Sequence, residues 1–262
     1  MKIEGSNVNK EIKRYLHNSA MVFIFLGMCA IFAVSSPTFL TINNILNVLR
    51  QISINGILAV GMTLVIISGG IDLSIGPLVA IAGVISALIL ETNPELFLLA
   101  VLAGIVSAAI MSMWTGFLVA KMSIAPFIAS LSTMSVAKGL VLVISSGIPH
   151  TISNETYVKL GNGYLWDPKL TGNLALPIPV LIITIIAVIT GIILYQTKFG
   201  RYIYAVGGNV SAANASGINV SRVIFFTYVL NGLLCGVAGI VLAARITSGQ
   251  PTAATGYELD AI

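Results

Sequence analysis

Charge is scarce in this sequence. Asp, Glu, Lys and Arg together make up 8% of 262 residues, where soluble domains carry roughly a quarter. With hydrophobic residues at 57% and a mean hydropathy of +1.00, that shortage excludes an ordinary soluble domain. Cysteine is nearly missing: Cys29 and Cys235 both fall inside apolar runs, where a thiol acts as a small hydrophobe, so no disulfide framework is implied. Histidine is as sparse. His17 and His150 stand alone outside the apolar stretches, and no cluster of His, Asp, Glu or Cys within them has metal-ligand or acid–base spacing. A Gly-x-x-x-x-Gly-Lys-Ser/Thr loop is also missing, and the pairs Gly69-Gly70 and Gly207-Gly208 lack the lysine that reaches a nucleotide's phosphates. The chain is therefore not expected to be an enzyme, and no catalytic, cofactor-binding or metal-binding residue is assigned.

What the chain has in plenty is apolar runs long enough to cross a bilayer, for which about 20 residues suffice. Seven qualify or nearly qualify: 20–34, 52–68, 77–90, 96–120, 126–146, 176–195 and 223–244. The expected fold is all-α, a polytopic transmembrane helical bundle of about seven spans. The first run follows Lys2, Lys10, Lys13 and Arg14, but Ser35, Ser36 and Pro37 offer no convincing cleavage site, so it reads as an uncleaved span. Thr41 can cap a short helix with Ile42, Ile45, Leu46, Leu49 and Ile52 on one face; an interfacial helix and an early start of the second span fit equally. If the N-terminus (1–19) lies inside and each run crosses once, Lys2, Lys10, Lys13, Arg14, Lys121, Lys198, Arg201 and Arg222 fall inside. Only Arg50, Lys159, Lys169 and Arg245 fall outside, and Lys138 lies within a span. Basic residues concentrate in cytoplasmic loops, so a cytoplasmic N-terminus is expected.

One apolar run is broken. In Gly69-Gly70-Ile71-Asp72-Leu73-Ser74-Ile75-Gly76-Pro77, a glycine can end one helix, Asp72 or Ser74 can cap the next and Pro77 fits its first turn. A carboxylate at the bilayer centre costs about 2.5–3.5 kcal/mol, more than a cap and a helix dipole return. Asp72 is therefore expected near an interface or facing a wet, protein-lined cavity. A plain capping turn and a part in a passage both fit. Asn55, Thr63, Ser68, Asp72, Ser74, Ser132, Thr133 and Asn231, polar positions in or beside apolar spans, form a candidate low-affinity translocation lane. For Ser and Thr the competing reading is a bond to a helix carbonyl one turn back.

The run GMTLVIISGGIDLSIG at Gly61–Gly76 resembles the signature of the membrane permease of ribose-type ABC sugar importers. Ile124-Ala125-Pro126-Phe127-Ile128-Ala129-Ser130-Leu131-Ser132-Thr133-Met134 resembles a second block, and Gly200-Arg201 through Gly217-Ile218 and Gly256 to Ile262 resemble others, in fitting order. Pro77 departs from the small polar residue frequent there. The resemblance implies a permease domain spanning 1–262 in a bacterial cytoplasmic membrane, multi-pass and surrounded by lipid. It implies a second permease copy, an ABC ATPase subunit that consumes the ATP, and an extracytoplasmic sugar-binding protein, with no nucleic-acid partner. Family chains continue past the last block, so a C-terminal truncation with two or three helices missing is expected. The cytoplasmic loop 196–222 is expected to dock the ATPase through Gly200, Arg201, Asn209, Ala212, Ala213, Ser216 and Gly217. Here Asn209 or Ser211 can cap a short helix, Gly217 can end it and Asn219 can cap the final span; a passive connector is the plainer reading.

The function expected is import of a monosaccharide or related small solute powered by a partner's ATP hydrolysis. An ion-coupled secondary carrier is the alternative, because a broken helix at mid-membrane suits that class too. Gly232, Gly236 and Gly239 read as packing positions. Tyr157, Tyr164 and Trp166, beside Lys159, Asp167 and Lys169, can receive a binding protein or form an aromatic belt.

Overall fold

The computed structural model describes residues 20–166 and 175–261. The chain divides into two compact units, residues 1–48 and 49–262. The first contains α1 (Ala20–Ser35), followed by a turn in which the Asn44 side-chain amide donates to Phe39 O at 2.8 Å. Helix α2 (Ile42–Ile67) is continuous, so the apolar stripe after Thr41 is the early start of the second span. The unit from 49 onward holds most of α2 and then α3 (Ile75–Thr92), α4 (Phe97–Met122), α5 (Pro126–Ile144), β1 (His150–Thr151), α6 (Glu155–Asn162), α7 (Ile178–Gln196), α8 (Lys198–Gly208), α9 (Val210–Ala215), α10 (Val220–Ile246), β2 (Ser248–Gly249) and α11 (Tyr257–Asp260). It is an all-α bundle in which a two-residue ribbon pairs His150 with Gly249 and Thr151 with Ser248, antiparallel.

Among the described residues six helices are long and apolar enough to span a membrane: α2, α3, α4, α5, α7 and α10. The expected first span corresponds to α1, a shorter apolar helix of 16 described residues. The residues before it, with Lys2, Lys10, Lys13, Arg14 and His17, lie outside the described residues, as do Asp167 and Lys169.

Helix α10 is the axis of the second unit, and glycine lets its neighbours approach. A Cβ on Gly232 would stand 2.4 Å from Ser112 Cβ, one on Gly236 2.6 Å from Ile105 Cα, and one on Gly239 2.5 Å from Val79 O. One glycine ladder thus presses α10 against α4 and then α3, the close backbone packing that small residues permit in membranes. Because α4 runs antiparallel to α10, the unit has two ends. One carries the α4–α5 turn and α8–α9. The other carries the β ribbon and α6, where His150 Nδ1 lies 2.6 Å from Glu91 Oε2 and the Asn162 amide donates to the Ala244 and Arg245 carbonyls at 3.1 and 3.0 Å.

Candidate functional site

Helix α2 stops where its sequence stops it. Gly69 takes φ +85°, Gly69 N–H donates to Ile66 O and Gly70 N–H to Val65 O, both at 2.9 Å, so the last carbonyls are satisfied by a left-handed glycine cap. The chain then crosses to α3 by way of Asp72. Its carboxylate accepts from Ser74 N–H at 2.9 Å and Ser74 Oγ at 2.5 Å, and through its other oxygen from Asn231 Nδ2 at 2.9 Å. Ser74 stands at the N-cap position of α3, but its hydroxyl serves Asp72 and makes no cap bond. Tyr228 on α10 donates its hydroxyl to Ile71 O at 3.2 Å. Asn231 is eleven residues into α10, about 16 Å along its axis. The break is therefore deep in the bundle.

Asp72, Ser74 and Asn231 have 0% exposure. Asp72 does not line a cavity, contrary to the expectation that it would face one or sit near an interface. A cavity of about 520 Å³ opens at the α8–α9 end, lined by Ser68, Gly69 and Gly70 of the break, Ser123 of the α4–α5 turn, Asn214 of α9, and Ser221 and Tyr228 of α10. Tyr228 and Gly70 line it and Asp72 does not; three hydrogen bonds hold the buried carboxylate. Helix α8 touches the break directly: a Cβ on Gly207 would stand 1.8 Å from Ile67 O.

A second irregular segment enters from the other end. After Thr247, which closes α10 at φ +53°, Ser248 to Gly256 run back down α3. Gly249 lies against Ala87 and Gly83, and a Cβ on Gly76 would stand 2.6 Å from Ala254 O and 2.7 Å from Glu258 Oε2. From Gly83 to Gly76 that descent covers about 10 Å. Its backbone is held by single turns, such as Ala253 N–H to Gln250 O and Tyr257 N–H to Ala254 O, both at 3.3 Å. Non-helical backbone at membrane depth survives only against protein or beside water. The two segments, one from each end, meet around the first turn of α3. Pro77 fits that turn as the third helical residue, where its missing N–H is no loss.

The other lane candidates are spread out. Asn55 Nδ2 reaches Asp260 Oδ2 at 3.5 Å, and Ser68 lines the cavity while donating to Val65 O. Thr63 donates to Ala59 O and Ser132 to Ala129 O, each at 2.7 Å and each one turn back, while Thr133 accepts from Thr115 at 2.8 Å between α4 and α5. Among the proposed docking residues, Asn209 caps α9 by accepting from Ala212 N–H at 2.9 Å, Gly217 takes φ +80°, and Asn219 caps α10. Gly200 and Ala213 are buried, Arg201, Ala212 and Ser216 exposed. Gly200 fits the α7–α8 corner because a Cβ there would meet Leu194 O at 2.2 Å.

The aromatic group of the other end separates. Tyr157 is 0% exposed, shares a 2.6 Å hydrogen bond with Ser86 Oγ and meets Phe97 edge-on at 6.3 Å. It can neither dock a partner nor sit in a headgroup belt, and burial pushes its hydroxyl pKa upward. Tyr164 lies beneath the Arg50 guanidinium at 4.5 Å, and Trp166 is exposed. Sequence reading missed Tyr228, Glu258 and Asp260. A tyrosine one turn before Asn231 carried no signal; the two carboxylates did, being charges amid apolar sequence.

Comparison with known proteins agrees with this architecture. The family model described as branched-chain amino acid transport system / permease component matches residues 44–262. The ribose import permease protein of Escherichia coli (strain K12) is 42% identical over 252 residues, 95% of this chain and 76% of that protein. The ribose import permease protein of Bacillus subtilis (strain 168) is 42% identical over 243 residues, 91% and 73%. The L-arabinose transport system permease protein of Escherichia coli (strain K12) is 37% identical over 240 residues, 92% and 69%. No solved structure gives a significant match. The chain belongs to the branched-chain amino acid transport system permease component family, as a multi-pass transport protein of the membrane.

Proposed function

We propose that this chain is the membrane-spanning subunit of an ATP-driven importer that moves a pentose or a related small polyhydroxylated solute across a cytoplasmic membrane. The observation that carries the transport reading is the meeting of two non-helical segments, from opposite ends, at the first turn of α3 around Gly76. Discontinuous helices at mid-membrane are where transporters hold their solutes. The similar ribose and arabinose permeases supply the solute class.

In this reading the α8–α9 end faces the cytoplasm, in accord with Lys121, Lys198, Arg201 and Arg222 there. An ABC ATPase docks on Gly200, Arg201, Asn209, Ala212, Ala213, Ser216 and Gly217, and its movement reaches the break through the backbone contact of Gly207 with Ile67. A second copy completes the passage, and a sugar-binding protein delivers solute at the ribbon end. The lane runs from Asn55 past Asp72, Ser74 and Asn231 to Ser68 and the cavity; Thr63, Ser132 and Thr133 border it. Weak sites suit such a lane, because a solute held tightly would not leave.

The test is uptake of labelled ribose and arabinose into proteoliposomes, with and without the ATPase subunit and ATP. Uptake that requires both is expected. Uptake driven by an ion gradient alone would support the secondary-carrier reading.

A further inference from the structure

Two charged side chains with no ion-pair partner among the described residues line one cleft. Glu258 is half-buried on α11, and its Oε2 is shielded from solvent with no hydrogen-bond partner among the described residues. Lys138 is exposed on α5, twelve residues from its first residue and six from its last, about 18 and 9 Å. The one ion pair among the described residues is that of His150 with Glu91, so Lys138 and Glu258 do not bond each other. Both line a cleft with Gly76, Ala254 and Thr255 whose volume, about 10 Å³, is that of one water molecule or hydroxyl group. Glycine at position 76 is what leaves the room, because a Cβ there would fill the space beside Glu258 Oε2.

A carboxylate oxygen withdrawn from water without a donor is destabilising, and so is an ammonium at mid-span. Packing gives neither a purpose: a methionine at either position would fill similar space without the penalty. Two such charges on one hydroxyl-sized cleft, at the meeting point of the irregular segments, are explained by a ligand that supplies both missing partners. A hydroxyl group does, donating its hydrogen to the carboxylate and accepting from the ammonium.

We propose that the cleft between Glu258 and Lys138 is a recognition subsite for one hydroxyl group of a neutral polyhydroxylated solute, Glu258 accepting and Lys138 donating. It rests on the transport reading for the identity of the solute class and extends it to a residue pair. The next turn of the same lane continues the chemistry, since Asp260 on α11 and the Asn55 amide offer an acceptor and a donor 3.5 Å apart. Charge-assisted bonds of this kind discriminate sharply between a hydroxyl and a hydrogen at the same carbon.

The test places a cysteine at Thr255, with Cys29 and Cys235 replaced by Ala, in membranes carrying the assembled transporter without nucleotide. Reaction with a water-soluble methanethiosulfonate reagent is followed with D-ribose, ribitol, NaCl or KCl in excess. The expected result is labelling that ribose or ribitol slows at least about threefold, with the slowing lost in Glu258→Met and in Lys138→Met. ATP-driven ribose uptake by the same variants is expected to show a KM raised about tenfold, the loss of one charge-assisted bond, with the maximal rate less affected. An unreactive Thr255→Cys, equal slowing in Glu258→Met, or protection by Na⁺ or K⁺ and not by ribose would each overturn the subsite. Labelling needs no ATP, so a wild-type assembly that fails to take up ribose counts against the transport reading while the labelling still decides the subsite.

Discussion

The two irregular segments that meet at α3 do the same topological job with opposite chemistry. From Ser68 to Ser74, polar groups are matched: a left-handed glycine cap closes α2, and three donors surround Asp72. After the ribbon residues Ser248 and Gly249, the backbone from Gln250 to Gly256 is held by isolated turns, and among the described residues the following Glu258 keeps a buried oxygen without a donor. A saturated buried network fixes one geometry, whereas an unsaturated one is a standing demand for a partner. The first segment therefore acts as a joint, and the second as a surface prepared for something that comes and goes.

Substitution separates the two. Asn231→Leu removes the amide donor from a fully buried carboxylate and is expected to cost about 3 kcal/mol, seen as a large drop in thermal unfolding temperature of the purified protein. A cost below about 1 kcal/mol would mean that the joint is not held by this bond. Gly207→Val, which puts a side chain against the Ile67 carbonyl at the end of α2, is expected to cost about 1–3 kcal/mol and to cut uptake more than it cuts nucleotide hydrolysis. Equal loss of both would deny α8 a transmitting role. Tyr157→Phe, away from both segments, loses one buried hydroxyl bond to Ser86 and should cost about 1 kcal/mol without changing ribose affinity. The smallest effect on stability belongs to Glu258→Met, expected within about 0.5 kcal/mol of wild type or on the stabilising side. Destabilisation like that of Asn231→Leu would erase the contrast between the segments.

The first segment was legible in the sequence because its signals are local. Gly69 before an apolar restart, and elsewhere Asn209, Gly217 and Asn219 at their helix ends, each announce a cap that forms within a few residues; the cap expected from Asp72 or Ser74 does not form, because Ser74 bonds Asp72 instead of the first turn of α3. The glycine ladder of α10 was legible for the same reason, since spacings of four and three residues put Gly232, Gly236 and Gly239 on one face. The second segment was not, because its meaning is long-range. Nothing near Glu258 in the chain points to Gly76 or Lys138, and nothing near Tyr157 reveals the Ser86 hydroxyl that draws it inward. Two helices also end at a Ser or Thr in the left-handed region with no glycine beside it, Ser123 and Thr247, where a sequence search for glycine finds no stop. Asn55, Thr63, Ser68, Ser132 and Thr133 share polarity but not partners, so a list of polar positions overstates how many lie together.

Both segments matter to transport only if the enclosed joint opens. A cysteine at Ser74, with Cys29 and Cys235 replaced by Ala, reads that directly through its rate of reaction with a water-soluble thiol reagent in the assembled transporter. The site is fully enclosed in this structure, so the expected result is protection without nucleotide and rapid labelling during ATP turnover with ribose. A cysteine that stays unreactive throughout sustained ribose uptake would place the passage elsewhere and contradict the account.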